Sequence, residues 1–301
     1  MSAWNRSLAA AGITDPELRR DYGAQRRTVA RFRRTAYLAV RLLLPSEVVP
    51  HVVVMTAVMH HGDNLLDTGP RPRREAAWAS WQRRVRAGLE SGASDEPLIR
   101  ALLHTVGAYP RLRRTVEDYL RTAVAELEFD GFATEADYQD YVDAYSLPGF
   151  MLVAALLEPE DDDGSYRAAC RTFIDGSQRL DFVNDLAEDL REGRTGIPAA
   201  TLERFSVPAD DLAAGRPSEG LRRLVDEQTG LARATLLESR GLVSLAAPAG
   251  RPLVRALIDI ELLTADAARR RGTGLLSGAA GPPVPGAVRA LARGRKAARQ
   301  R

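Results

Sequence analysis

Apolar residues in this chain recur at three- and four-residue spacing through long stretches bounded by proline and glycine breakers, and that pattern selects an all-α fold. β-Branched residues are few and period-two alternation is hard to find, so strands have little to form from. Helices are predicted near residues 16–44, 47–67, 72–91, 96–106, 111–129, 135–157, 165–191, 218–241, 250–271 and 284–299. The breakers "LLPSE", "DTGPRP", "AYPR", "EPEDDDG", "EGRTGIP", "AAPAGRP" and "GAAGPPVPG" fall between them. No repeat at a fixed period is visible, which argues against a solenoid. With 301 residues and 45% hydrophobic content, one helical domain over residues 1–283 can close around a real core.

Charge narrows the partners. Although 27% of residues are charged, the net charge is only +2, so the overall balance gives a nucleic-acid partner no support. Cys170 is the single cysteine, which excludes an intramolecular disulfide and fits a reducing compartment. No signal-type segment and no run of 18 apolar residues is present, and a soluble cytoplasmic protein is the expectation. The last segment, residues 284–301, contains "GAVRALARGRKAARQR" with six basic and no acidic residues. It reads as a solvated helix or tail, with peripheral contact to a membrane surface as the alternative.

The apolar run "VVPHVVVMTAV" leads into "MHHGDNLLD", which sets Asp63 and Asp67 four residues apart. A second acidic row lies in "SQRLDFVNDLAEDLREGRTGIP", where Asp181, Asp185 and Asp189 follow i, i+4, i+8 spacing along one helical face. Like charges so placed destabilise a helix. The intervening Leu180, Phe182, Val183, Leu186 and Leu190 place the second row beside buried surface, where unpaired carboxylates are costly. Magnesium suits such a set: it accepts a few carboxylates, keeps waters and bridges to a diphosphate. Two facing rows would hold a diphosphate through the ions and offset the charge on it as it leaves. Taken singly, either row is more often a solvated face bonded to arginines; the two together, each following an apolar helix, bring the metal-binding reading level with it. His60 and His61 point about 100° apart on a helix, so they cannot both join Asp63 at one ion. No glycine-rich phosphate loop, zinc spacing or nucleophile elbow is present.

These features resemble the squalene/phytoene synthase family, all-α isoprenoid synthases that join prenyl diphosphates. The resemblance runs over roughly residues 20–200. "RRTAYLAVRLLLP" is similar to the family's S-F-Y-x-A-S-R-L-L-P at Tyr37, Ala39, Arg41, Leu42 and Pro45. "DNLLD" keeps the first Asp-x-x-x-Asp motif. "QRLDFVNDLAEDLREGRTGIP" is similar to Q-x-x-N-I-x-R-D-x-x-E-D-x-x-x-G-R-x-Y-L-P at Gln178, Asp185, Glu188, Asp189, Gly193, Arg194 and Pro198. The resemblance implies an isoprenoid synthase fold around a central cavity and Mg²⁺ held by Asp63, Asp67, Asp185 and Asp189. It further implies that Arg34, Arg41 and Arg194 partner the phosphate or the acidic helices, and that Tyr141 and Gln178 line the cavity and contact the substrate or its cation.

Several positions depart from that pattern. His60 stands for the family's arginine, Asp181 and Asn184 stand for the Asn and Arg of the second motif, and Gly196 for its Tyr. In an ungapped reading, "YVDAYSLPGF" puts Leu147 and Phe150 where the family's Y-C-x-x-V-A-G-x-V-G has glycines. Side chains there remove cavity volume, which argues against two long prenyl chains side by side. The expected activity is transfer of one allylic prenyl cation to a small aromatic acceptor of carbazole type, as in a divergent actinomycete branch of the family. Tyr141, Tyr145, Phe150 and Phe182 are candidate faces for the ring or the cation. The substrate-contacting set is then Arg34, Tyr37, Arg41, Tyr141, Tyr145, Leu147, Phe150, Gln178, Asp181, Asn184 and Arg194. Head-to-head condensation of two prenyl diphosphates, cyclisation of one, and a non-catalytic binding subunit remain the alternatives.

Overall fold

In a computed structural model, which describes residues 2–300, the regular elements are all helical and no strand occurs among those residues. The first half of the chain forms α1 (Ala3–Ala10), α2 (Pro16–Phe32), α3 (Arg34–Leu43), α4 (Val49–Asp67), α5 (Arg71–Ser91), α6 (Pro97–Ala108), α7 (Leu112–Thr122), α8 (Glu135–Tyr141) and α9 (Leu147–Ala154). The second half forms α10 (Ser165–Asn184), α11 (Leu186–Arg191), α12 (Ala199–Arg204), α13 (Ala209–Ala213), α14 (Glu219–Glu238), α15 (Leu242–Leu245), α16 (Arg251–Arg271) and α17 (Val284–Arg299). Residues 1 and 301, the outer ends of the two predicted segments, lie outside the described residues.

Most predicted helices are present, but three long ones are interrupted, each at a place that later bears on the site. The stretch 16–44 breaks at Arg33, whose φ of −128° and ψ of 48° leave the helical region. The stretch 135–157 passes through Pro148, which lacks an N–H and whose ring would crowd the preceding turn of a regular helix. The chain widens there into a π-turn over Val142–Ser146 before α9 begins. The stretch 165–191 breaks at Asp185, with φ −92° and ψ 11°. Asp181, Asp185 and Asp189 therefore do not share one continuous helix, although the amides of Asp185 and Asp189 still bond the carbonyls four residues back, at 2.8 and 3.0 Å. After α7 the chain tightens into a 3₁₀ turn over Ala123–Glu128. The short α1, α12, α13 and α15 were not predicted, since pieces of four to eight residues carry too few turns to show a periodicity.

α4 and α10 form the inner walls. Val52, Val53, Val54, Met55 and Val58 of α4 are all buried, and a helix apolar on every side belongs in the interior. It packs against α2, α5, α6 and α9, while α10 packs against α14, which in turn lies on α16. α17 is no loose tail: Gly286, Ala290 and Gly294 are buried where it crosses α16 and α3.

Gly62 lets α4 approach α7. A Cβ at this position would overlap the hydroxyl of Tyr119, which is fully buried and has no hydrogen-bond partner. Gly62→Ala is expected to lower stability by about 1–2 kcal/mol through overpacking. Adding Tyr119→Phe should recover at least half of that loss, as read from urea unfolding midpoints. Absence of recovery would place the strain in the α4 backbone rather than at the hydroxyl.

Candidate active site

The last turn of α4, the 3₁₀ turn 123–128, the π-turn 142–146 and the α10–α11 junction meet at one end of the bundle. On the first wall Asp63 accepts a hydrogen bond from the Tyr145 hydroxyl at 3.0 Å. Burial lifts its pKa to about 6, against the opposing pull of Tyr145 and Arg33. Asp67, one turn further, shares a hydrogen bond with Glu126. Glu126 is buried, accepts the Tyr141 hydroxyl at 2.5 Å, and is pushed up to about 7, chiefly by burial.

On the second wall Asp189 is buried and raised to about 6, again chiefly by burial. Asp185 is raised by burial and by Glu188. Arg194 ties the walls together, its guanidinium 3.9 Å from both Asp189 and Glu126 and 2.9 Å from Glu192. Asp181 is exposed to solvent, yet desolvation, Glu261 and Asp185 push it up to about 8. Water access combined with desolvation is the mark of a carboxyl lining a concave, protein-walled cleft. Glu261 of α16, raised to about 7 by burial, acts on Asp181 from the helix packed beside α10.

Negative charge thus exceeds its partners in this cleft; burial is the main cause of the raised pKa values, and neighbouring carboxylates add to it at Asp63, Asp185 and Asp189. Among the described residues no three His, Cys, Asp or Glu side chains converge as a ready-made metal cage. The donors stand singly or in pairs on opposite walls. That arrangement suits a hard ion that takes one or two carboxylates and completes its shell with waters and phosphate oxygens, and it does not suit zinc. His60 and His61 turn elsewhere, as their angular separation requires: His60 lies against Phe32 with ring centroids 5.0 Å apart, and His61 against Trp81 at 4.4 Å.

Several of the expected substrate-contacting residues gather at the cleft, and others do not. Tyr141 and Tyr145 pack with their rings tilted and their centroids 5.4 Å apart, and Tyr141 continues into Phe129, Phe132 and Phe182 at 5.2, 5.4 and 6.0 Å. Gln178 accepts a hydrogen bond from Ser146 at 2.9 Å, joining α10 to the π-turn. Asn184 is committed within the protein: its amide bonds the backbone of Ala280 in both directions, at 3.0 and 2.7 Å. Leu147 is buried in the core, and Phe150 packs on Phe173 at 5.2 Å beside an apolar cavity of about 40 Å³. Tyr37 is buried under Arg41, whereas Arg34 and Arg41 are exposed. The arginine that acts on Asp63 and Asp181 is Arg33, at the unpredicted break between α2 and α3.

Sequence reasoning missed Glu126 and Glu261 as well. Each does leave a signal, a carboxylate on an otherwise apolar helical stripe: Tyr119, Leu120, Ala123 and Leu127 around Glu126, and Ile258, Leu262 and Ala265 around Glu261.

The departure at Gly196 also has a physical counterpart. A Cβ there would fall inside the ring of Phe182, so the ring occupies the space next to a bare backbone. The similar motif carries Ile at position 182 and Tyr at 196. Here the aromatic ring is on α10 and the small residue on the loop, and Phe182 holds the loop that carries Arg194.

The family model described as squalene/phytoene synthase matches residues 29–285, further toward the C-terminus than the motifs alone reach. The bifunctional protein CrtB/UppS of Streptomyces coelicolor is 29% identical over 232 residues, covering 77% of this chain, and the chain spans only 41% of that relative's length. The phytoene synthase of Thermus thermophilus is 28% identical over 75% of each chain. Among solved structures, squalene synthase HpnC from Alicyclobacillus acidocaldarius is 24% identical with a TM-score of 0.74, covering 87% of this chain and 98% of its own. A dehydrosqualene synthase in complex with ligand is 18% identical with a TM-score of 0.81, covering 95% and 99%. At these identities the two structures establish the fold.

If Phe182 and Gly196 form one packing unit, their substitutions must be non-additive. Gly196→Tyr alone is expected to destabilise the protein by at least about 2 kcal/mol through overpacking. In the Phe182→Ile background the same change should cost less, with a coupling of about 1–3 kcal/mol in a double-mutant cycle on thermal unfolding. Additive effects would show that the ring and the loop are independent.

Proposed function

Because the chain belongs to the squalene/phytoene synthase family, we propose that it is a Mg²⁺-dependent prenyltransferase that ionises one allylic prenyl diphosphate and transfers the prenyl cation to a small aromatic acceptor of carbazole type. One observation carries the acceptor: the acid-lined cleft opens directly onto phenol rings. Tyr145 bonds Asp63 and Tyr141 bonds Glu126, and both belong to a continuous aromatic cluster with Phe129, Phe132 and Phe182. Such faces stabilise an allylic cation and stack against a flat ring.

Asp63 and Asp67 on one wall and Asp185 and Asp189 on the other would hold the metal ions, with the donor's diphosphate between them. When bound, the ions supply the positive charge that stabilises the departing diphosphate. Arg194, fixed between Asp189 and Glu126, sets its guanidinium on the diphosphate side of the cleft. Glu126 accepts the Tyr141 hydroxyl and so orients that ring toward the cleft. Leu147 and Phe150 narrow the apolar end, where Phe150 borders a small apolar cavity of about 40 Å³. Side chains at these two positions leave less room for two prenyl tails than for one.

Incubation with C5, C10, C15 and C20 allylic diphosphates, with and without a carbazole, is expected to yield a prenylated ring only when both are present. A C30 or C40 hydrocarbon formed without acceptor would assign head-to-head condensation instead, a volatile terpene would assign cyclisation, and no product from any donor would favour a binding subunit. Asp185→Asn should lower turnover at least about a hundredfold, as loss of a strong electrostatic contact does, while leaving the fold intact. Phe150→Ala should shift donor preference toward longer chains, at a stability cost of up to about 3–5 kcal/mol if the vacated space does not collapse. An unchanged chain-length profile in a folded variant would make Phe150 a packing residue.

A further inference from the structure

One surface of the fold takes no part in this chemistry. α3 and α17 lie side by side and run in the same direction. Near its end, Gly294 of α17 packs against Leu43, the last residue of α3, and the Pro252 carbonyl of α16; near its start, Gly286 packs on Leu263 of α16. At the other end of α3, Arg33 acts on Asp181, and so does Glu261 of α16. Val284 therefore sits beside the head of α3.

The outer faces of these two helices are unusually apolar for exposed surface. Leu38, Leu42, Val284 and Val288 are 44%, 37%, 73% and 57% exposed, and Phe32, next to the head of α3, is 56% exposed. Five of the seven large hydrophobic side chains exposed among the described residues thus belong to these two packed helices or to Phe32, which leads into α3. A concentration of this kind marks a contact surface, whereas scattered single residues do not. The face is also cationic. Residues 31–44 carry four arginines and no acid, and residues 284–299 carry four arginines, Lys296 and no acid. Among the described residues only Arg293 of this set forms an ion pair, with Asp259 at 3.0 Å.

We propose that the α3–α17 face docks peripherally on an anionic bilayer. The apolar side chains enter the interfacial layer while Arg31, Arg34, Arg41, the arginines of α17 other than Arg293, and Lys296 meet lipid phosphates. No described helix is long and apolar enough to cross a membrane, so the contact is a surface one. A second copy of the chain fits this face poorly, because an isologous pairing sets one cationic row against its own duplicate. The position is informative too. Phe32 touches His60, one turn of α4 before Asp63, so the docking face borders the mouth of the cleft. On the proposed function, a prenyl donor would then pass from lipid to site without crossing bulk water.

The docking itself is tested by binding alone, whatever the activity proves to be. Co-sedimentation of the full chain with phosphatidylcholine vesicles, and with vesicles containing about one-third phosphatidylserine, should show at least about tenfold stronger partition onto the anionic ones at low salt. That preference should fall as salt screens it. Leu38→Ser/Val288→Ser and Arg295→Glu/Arg299→Glu alter only exposed side chains and should keep the parent's helical circular dichroism. Each pair should lower partition at least about tenfold. Equal binding to both vesicle types, or two variants that bind like the parent, would overturn the proposal. So would concentration-dependent self-association without lipid that disappears in Leu38→Ser/Val288→Ser, since it would assign the face to a second copy.

Discussion

Carboxylates brought into a desolvated cleft repel one another and lose their hydration, and the rest of this structure is arranged around holding them there. Asp63, Glu126, Asp189 and Glu261 are all lifted by burial into the range of about 6–7, so each favours its neutral form more than an exposed acid would. The compensation inside the protein is partial. Tyr145 donates to Asp63 and Tyr141 to Glu126, Arg33 eases Asp63 and Asp181, and Arg194 spans Asp189 and Glu126. With Arg74, which acts on Asp67, three arginines and two phenols against this many acids leave room for further positive charge, which is what a cation-bound diphosphate would bring.

Much of this was legible in the sequence because it rests on short-range spacing. The helical period, the Asp-x-x-x-Asp pair at 63 and 67, and the long second motif from Gln178 to Pro198 are all local patterns, and the helices that carry the two rows follow from them. What stayed hidden depends on breaks and on partners far along the chain. Arg33 acts on the acids only because the backbone leaves the helix there. Pro148 was a visible breaker inside a predicted helix, and the π-turn it imposes carries Tyr145 to Asp63. Asn184 looked like a substrate ligand from its place in the motif, but Ala280, nearly a hundred residues on, takes both ends of its amide. No local pattern announces that pairing.

The departures from the family pattern become coherent in three dimensions. Gly196 and Phe182 appear unrelated in the sequence, yet one vacates the space the other fills, so the loop carrying Arg194 stays packed on α10. Leu147 joins the core and Phe150 closes on Phe173, which leaves a small apolar space at that end of the bundle. The acids of the two Asp-x-x-x-Asp motifs are retained while the apolar and aromatic surroundings differ, the combination the proposed function calls for.

The central claim is that the two acidic walls act as one site for a metal-bound diphosphate. Thermal unfolding of the parent chain with Mg²⁺, with inorganic diphosphate and with both tests it directly. Binding at about a hundred times the dissociation constant stabilises by about 2.7 kcal/mol, enough to move the midpoint by several degrees. The account predicts that Mg²⁺ and diphosphate together raise the midpoint by more than the sum of their separate effects, and that Asp63→Ala and Asp185→Ala each abolish that excess. A purely additive response, or an excess that survives loss of either wall, would contradict it.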